Sequence, residues 1–202
     1  MSISVPEPPE FGEPLPIKPS APTLAFLARR RSASALTLRA PGPAAGEINT
    51  LLRLATRVPD HGKLSPWRFI VISGSGKATL ADALLLIAKA RSDATKAVAA
   101  LGKFNAPPTA ICVVSHTAAG EIPEWEQQLS AGAVCMSLVN AASAMGYGAN
   151  WITDWYSTDP TATALIGLKD GERVAGMVYI GTAPEAPLER VRPDLEALIT
   201  RL

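Results

Sequence analysis

The sequence predicts one layered domain of the α/β or α+β class, with helices interleaved among about four strands. Three observations carry this expectation. Two apolar runs, 67–73 and 109–115, read as strands. Helical spacing of apolar residues recurs between and after them, and 202 residues suit one domain, or one domain plus an arm.

Residues 1–22 contain Pro6, Pro8, Pro9, Pro14, Pro16, Pro19 and Pro22, which predicts a tail or extended arm preceding a domain over 23–202. A short helix is expected over 23–31, with Leu24 and Leu27 inward and arginines at its end. In 46–58, Ile48, Leu51, Leu52, Ala55 and Val58 share one helical face, and Pro59 stops the run. Asp60-His61-Gly62-Lys63 forms a loop before the strand 67–73, and Gly74-Ser75-Gly76 the turn after it. Helices are expected over 77–90 and 93–101.

Pro107-Pro108 precedes the uniformly apolar strand 109–115, expected to be central. A long helix follows over about 123–145, ended by Gly146. Its stretch from Gln127 to Thr153 has no charged residue, and Gly132, Ala133, Ala141, Ala142 and Ala144 permit close approach of another helix. Such a helix suits burial on most sides, including a subunit interface. A short strand over 149–153, a helix opened by Thr158 or Asp159 before Pro160, a strand over 173–181 and a short helix over 193–202 complete the chain.

Composition narrows the function. Nineteen Lys and Arg against eighteen Asp and Glu give a net charge of +1, without the basic excess of a nucleic-acid binder. The start of the chain lacks a basic region followed by an apolar one, so no signal peptide is expected. The charge-free stretch is diluted by serines, asparagines and glycines and reads as a buried helix, not a membrane span. Cys112 and Cys135 read as buried thiols in a reducing compartment. Gly74-Ser75-Gly76-Lys77 fails as a nucleotide loop because Val71 and Ala78 stand where glycine and Ser/Thr are needed. No G-x-S-x-G or G-x-G-x-x-G occurs, and His61 and His116 with two unpaired cysteines make a poor zinc site.

Three segments retain polar chemistry beside apolar elements. Arg29-Arg30-Arg31-Ser32-Ala33-Ser34 offers guanidinium forks and hydroxyls to phosphate oxygens, although alone it reads first as a solvated helix end. Arg57-Val58-Pro59-Asp60-His61-Gly62 links a helix to a strand and reads either as a cap or as a binding loop. Gly146-Tyr147-Gly148-Ala149-Asn150-Trp151-Ile152-Thr153 combines close-approach glycines with a flat indole, or is simply a turn before a buried tryptophan.

Together these pieces resemble the nitroreductase family, in its small YdjA-like branch. The resemblance spans roughly 23–182 and rests on RRSAS (30–34), RVPDHGKLSPWRFIVI (57–72), WEQQLSAGAVCMSLVNAASAMGYGANWIT (125–153) and VAGMVYIGT (174–182). It implies an α+β fold: a mixed central sheet of about four strands flanked by helices, with the long helix at the interface of a homodimer. It further implies a cytoplasmic flavoenzyme with two FMN sites, each built from both subunits. Hydride from NAD(P)H would pass through flavin N5 to nitroaromatic or quinone acceptors in a ping-pong cycle.

By the same resemblance, Arg30, Arg31 and Ser32 match the segment that holds the flavin phosphate and ribityl chain. Arg57 and His61 match flavin contacts from the loop before the first strand, and Trp151, Ile152 and Thr153 a later flavin-contacting triplet. Ala141, Ala142, Ser143, Ala144, Met145 and Gly146 match a stretch associated with NAD(P). Where close relatives can carry arginine this chain has Ile152, so Arg190 or, by preference, Arg192 supplies the phosphate contact. No metal and no obligatory acid or base is implied. The alternative is an FMN-binding or regulatory protein with little turnover.

Overall fold

The computed structural model describes residues 5–202. Its centre is a four-stranded sheet built from β1 (Trp67–Ser73), β2 (Thr109–Ser115), β3 (Gly148–Ile152) and β4 (Arg173–Gly181), in the order β1-β2-β4-β3. Every residue of β2 is buried, as its unbroken apolar run requires of a strand covered on both faces. The sheet is antiparallel at each pairing, where a mixed sheet was expected. The reason is topological. Between β1 and β2 the chain goes out along α3 (Gly74–Ala90) and returns through α4 (Ala94–Ala100) and α5 (Gly102–Asn105), bringing Thr109 back beside Ser73. A single long helix, α6 (Glu124–Ala144), joins β2 to β3 and makes those two strands run the same way, but β4 lies between them.

The sheet separates two apolar cores. On one face Cys112, Val114, Met177 and Tyr179 pack against α3, α4 and α7 (Pro160–Ile166), around a buried Tyr156–Tyr179 hydroxyl pair at 2.7 Å. On the other, Ile111, Val113, Val178 and Ile180 meet α6 and α2 (Ala45–Ala55). Both cysteines are buried and unpaired, and burial pushes each thiol up to about 12.

Gly74-Ser75-Gly76 is the first turn of α3, not a turn before it. Lys77 is buried there, where its ammonium donates to the Asn105 carbonyl at 3.0 Å and lies over the Phe104 ring. That role is structural, in keeping with the failed nucleotide-loop match.

The first helix, α1 (Ala21–Arg29), begins two residues before the expected start. Ser20 caps it and Pro22 lies in its first turn, where proline's missing N–H costs nothing. Leu24 and Leu27 were expected inward, yet they are 67% and 54% exposed. Residues 5–20 form no helix or strand, and Arg53 of α2 donates to the Pro6 carbonyl at 3.0 Å. At the other end the expected helix over 193–202 reduces to a single 3-10 turn, Glu196–Leu198. Leu195 and Leu198 are largely exposed, so little burial stabilises a longer helix here.

Candidate functional site

Arg30 follows the last turn of α1 and leads the chain into 31–34, which runs beside β3. The Ala33 N–H donates to the Ala149 carbonyl at 3.0 Å, and the Asn150 amide donates to the Ala33 carbonyl. Gly148 makes this approach possible: a Cβ there would meet Leu38, Ala183 and Ala33. Gly146, at φ +86°, ends α6 in the left-handed conformation that favours glycine. The result is a cleft of about 660 Å³ bounded by Phe26, Arg30 and Arg31, by Ser143 and Gly146 at the end of α6, and by the segment Ala183–Pro187.

Arginines outnumber carboxylates around this cleft. Arg30 Nη1 is buried with no hydrogen-bond partner among the described residues. Burial, then the charges of Arg192 and Arg31, pull the Arg30 guanidinium below the ordinary arginine value. Three arginines from two distant parts of the chain therefore converge, with Glu189 as the counter-charge. Its carboxylate lies 2.9 Å from Arg192 Nη2 and 3.6 Å from Arg31 Nε, which also donates to the Leu188 carbonyl at 2.9 Å. An unpartnered buried guanidinium among like charges fits a doubly charged oxyanion such as a phosphate monoester, whose oxygens match the planar fork. Ser32 is half-buried in the same segment.

A second polar cluster lies at the opposite end of α6. Asp60 clamps its loop by accepting from the Leu64 and Ser65 N–H groups at 3.1 and 2.9 Å. Lys63 and Ser65 are held at φ +55° and +48°, strained values for residues with a Cβ, of the kind that gathers at functional loops. His61 Nδ1 pairs with Glu126 Oε2 at 2.7 Å, which leaves Nε2 outside that pair. Ser130 donates to the Pro59 carbonyl at 2.6 Å and accepts from the Trp67 indole at 3.1 Å, pinning loop, strand and helix together. Pro59, His61, Glu126, Leu129, Ser130 and Ala133 enclose a hollow of about 330 Å³. Arg57 is exposed and borders a different hollow, facing residues 5–9 of the arm.

On β3, alternation sends the expected triplet to different places. Trp151 is 38% exposed on the α6 side, lying over Gly132 and Gly176, and a Cβ at Gly176 would collide with its indole. Ile152 instead packs on the core of the other face, and Thr153 is exposed. The stretch 141–146 is not one continuous contact surface. Ala142 is fully buried and Met145 packs on the core, while Ala141, Ser143, Ala144 and Gly146 reach clefts.

The chain thus brings Arg30, Arg31, Arg192 and the end of α6 together and leaves Arg57 and His61 elsewhere. Glu126 and Ser143 are separated by about 25 Å along the helix axis. Along this length α6 exposes Leu129 outright and Ala133, Met136 and Asn140 in part, with Trp125 exposed just before Glu126. Glu126 and Glu189 were not foreseen. Nothing in their local sequence marks them, since each acts through a partner brought near by folding. Gly176 had a visible signal, a glycine inside an apolar strand.

A sequence model described as the nitroreductase family matches residues 27–182. An Escherichia coli (strain K12) protein named "Putative NAD(P)H nitroreductase YdjA" is 33% identical over 161 residues, covering 79% of this chain and 87% of that protein. A Haemophilus influenzae relative named "Putative NAD(P)H nitroreductase" is 34% identical over 166 residues and covers 80% of this chain and 89% of that protein. Among solved structures, a nitroreductase-like family protein from Bacillus cereus superposes with a TM-score of 0.80 at 23% identity, covering 93% of this chain and 99% of that one. A Bacteroides fragilis nitroreductase with bound FMN gives 0.68 at 18% identity, covering 91% and 100%. By sequence and by fold, the chain belongs to the nitroreductase family.

Proposed function

We propose that the protein is a cytoplasmic, homodimeric FMN-dependent oxidoreductase that takes hydride from NAD(P)H and passes it, in a ping-pong cycle, to nitroaromatic or quinone acceptors. The observation that carries this reading is the buried, unpartnered Arg30 Nη1 inside the Arg30–Arg31–Arg192 cluster. The name of the E. coli relative and the FMN bound in the B. fragilis structure support the choice of cofactors.

Arg30 and Arg31 hold the flavin phosphate in this reading, with Arg192 in the place expected for the missing arginine at 152 and Ser32 beside them. Bound FMN would supply the two-electron hydride chemistry. The chain's part is to position and desolvate. Trp151, on the exposed side of β3, offers an apolar wall, while Ile152 and Thr153 contribute backbone. Ser143 and Gly146 border the phosphate-bearing cleft.

Two copies complete the site. If α6 packs against its twin in antiparallel fashion, the phosphate cleft of one chain comes beside Arg57 and His61 of the partner subunit. The exposed stripe on α6, the exposed leucines of α1 and the buried, partnerless Asn140 Oδ1 support such a pairing. Glu126 would hold the His61 ring so that Nε2 faces the neighbouring flavin. The arm, residues 1–22, precedes the flavin-binding unit 23–202.

The test is reconstitution with FMN followed by steady-state assay with a quinone and a nitroaromatic. Parallel-line kinetics with either acceptor are expected. A yellow protein without turnover would favour the alternative of a flavin-binding or regulatory protein.

A further inference from the structure

The strap that follows β4 lies, beyond Thr182, outside the residues matched by the family, and Glu189 on it has the wrong sign for a phosphate site. It is pinned at its start, where Thr182 and Arg39 exchange backbone hydrogen bonds at 2.8 and 3.0 Å and the Thr182 hydroxyl donates to the Pro41 carbonyl at 2.8 Å. Six residues later the Leu188 carbonyl and the Glu189 carboxylate reach Arg31. Glu189 also holds Arg192 at 2.9 Å. Two of the three arginines offered to the cofactor phosphate are therefore engaged by one internal anion, while the third, Arg30, has a buried Nη1 with no partner.

We propose that Glu189 is an internal competitor for the cofactor phosphate, a carboxylate that limits how tightly the arginine cluster retains FMN. The inference rests on the phosphate reading of the cluster. Its physical basis is simple. A phosphate dianion approaching Arg31 and Arg192 meets donors already shared with a carboxylate, and two anions within a few ångströms repel. The Arg190 backbone N–H, which donates to this carboxylate at 2.7 Å, and then the charges of Arg192 and Arg31 hold it below the usual acid range, which favours its charged form. Glu189 is 58% exposed and sits on a strap that packs little of the core, so its removal leaves the fold intact.

The experiment compares wild type with Glu189→Gln, titrating each with FMN and with riboflavin by quenching of flavin fluorescence. Riboflavin carries the same ring and ribityl chain without the phosphate. The proposal expects FMN to bind roughly threefold or more tightly in Glu189→Gln, the scale of one exposed ion pair, with riboflavin unchanged and the FMN gain shrinking at high salt. Unchanged or weaker FMN binding in the variant overturns it. An equal shift for riboflavin also overturns it, because the effect then lies away from the phosphate. Failure of the wild type to bind FMN better than riboflavin overturns the phosphate reading itself, and this proposal with it.

Discussion

Replacing Arg30 by alanine should act in opposite directions on the free protein and on its flavin complex. In the free chain, Arg30 Nη1 is buried without a partner and the guanidinium lies among the charges of Arg192 and Arg31. An unsatisfied buried donor costs about 1–3 kcal/mol, and solvent reaching the rest of the side chain reduces that cost. Arg30→Ala should therefore leave the flavin-free protein as stable as wild type, or more stable by up to about 1 kcal/mol. With FMN the sign reverses. A charge-assisted contact is worth roughly 1.5–3 kcal/mol, so the FMN dissociation constant should rise by about one to two orders of magnitude. Arg30→Lys keeps the charge but loses the fork, and should fall between the two. Thermal melts of the flavin-free proteins and fluorescence titration with FMN read the two effects separately. A variant that melts several degrees lower without flavin, yet binds FMN as wild type does, would refute the reasoning, because Arg30 would then be a structural residue.

The other predictions concern interface, packing and pH. Leu129→Glu changes an exposed position on α6 and should leave the chain folded while shifting it to monomer and abolishing FMN retention, as read by sedimentation and absorbance. Gly176→Ala places a methyl group against the Trp151 indole and near Cys135 Sγ, and should cost about 1–3 kcal/mol in a denaturation midpoint. Glu172 is held down to about 2 chiefly by its hydrogen bonds to Arg68, at 2.7 and 2.5 Å. Its folded pKa lies below its unfolded one, so its stabilisation is present above about pH 4.5 and is lost as pH falls toward 2. Glu172→Gln should flatten the acid limb of the stability curve and lower neutral-pH stability by roughly 1–2 kcal/mol. An unchanged acid limb would assign the loss to other carboxylates.

How much of this was legible depended on the range of the interaction. The strands 67–73 and 109–115 announced themselves because burial on both faces demands unbroken apolar runs. The start of α1 was missed because a proline in the first turn was read as a breaker. Leu24 and Leu27 show a limit of periodicity: an apolar helical face says that something covers it, not whether the cover is the chain's own core. The antiparallel sheet was unreadable for a similar reason, since the insertion of β4 between β2 and β3 is set by contacts across the whole domain. In the site, Arg30 and Arg31 came from a local pattern. Glu126 and Glu189 did not, because they lie 65 residues from His61 and more than 150 from Arg31. Their roles exist only once folding has brought those partners together.

The most direct test of the account is anaerobic titration of the FMN-loaded protein with NADH and with NADPH, followed through the visible flavin absorbance, with a quinone then added to the reduced sample. The account predicts full bleaching by at least one nicotinamide and prompt return of the yellow colour on adding quinone. A protein that cannot be loaded with FMN, or whose bound flavin neither nicotinamide reduces, would contradict it.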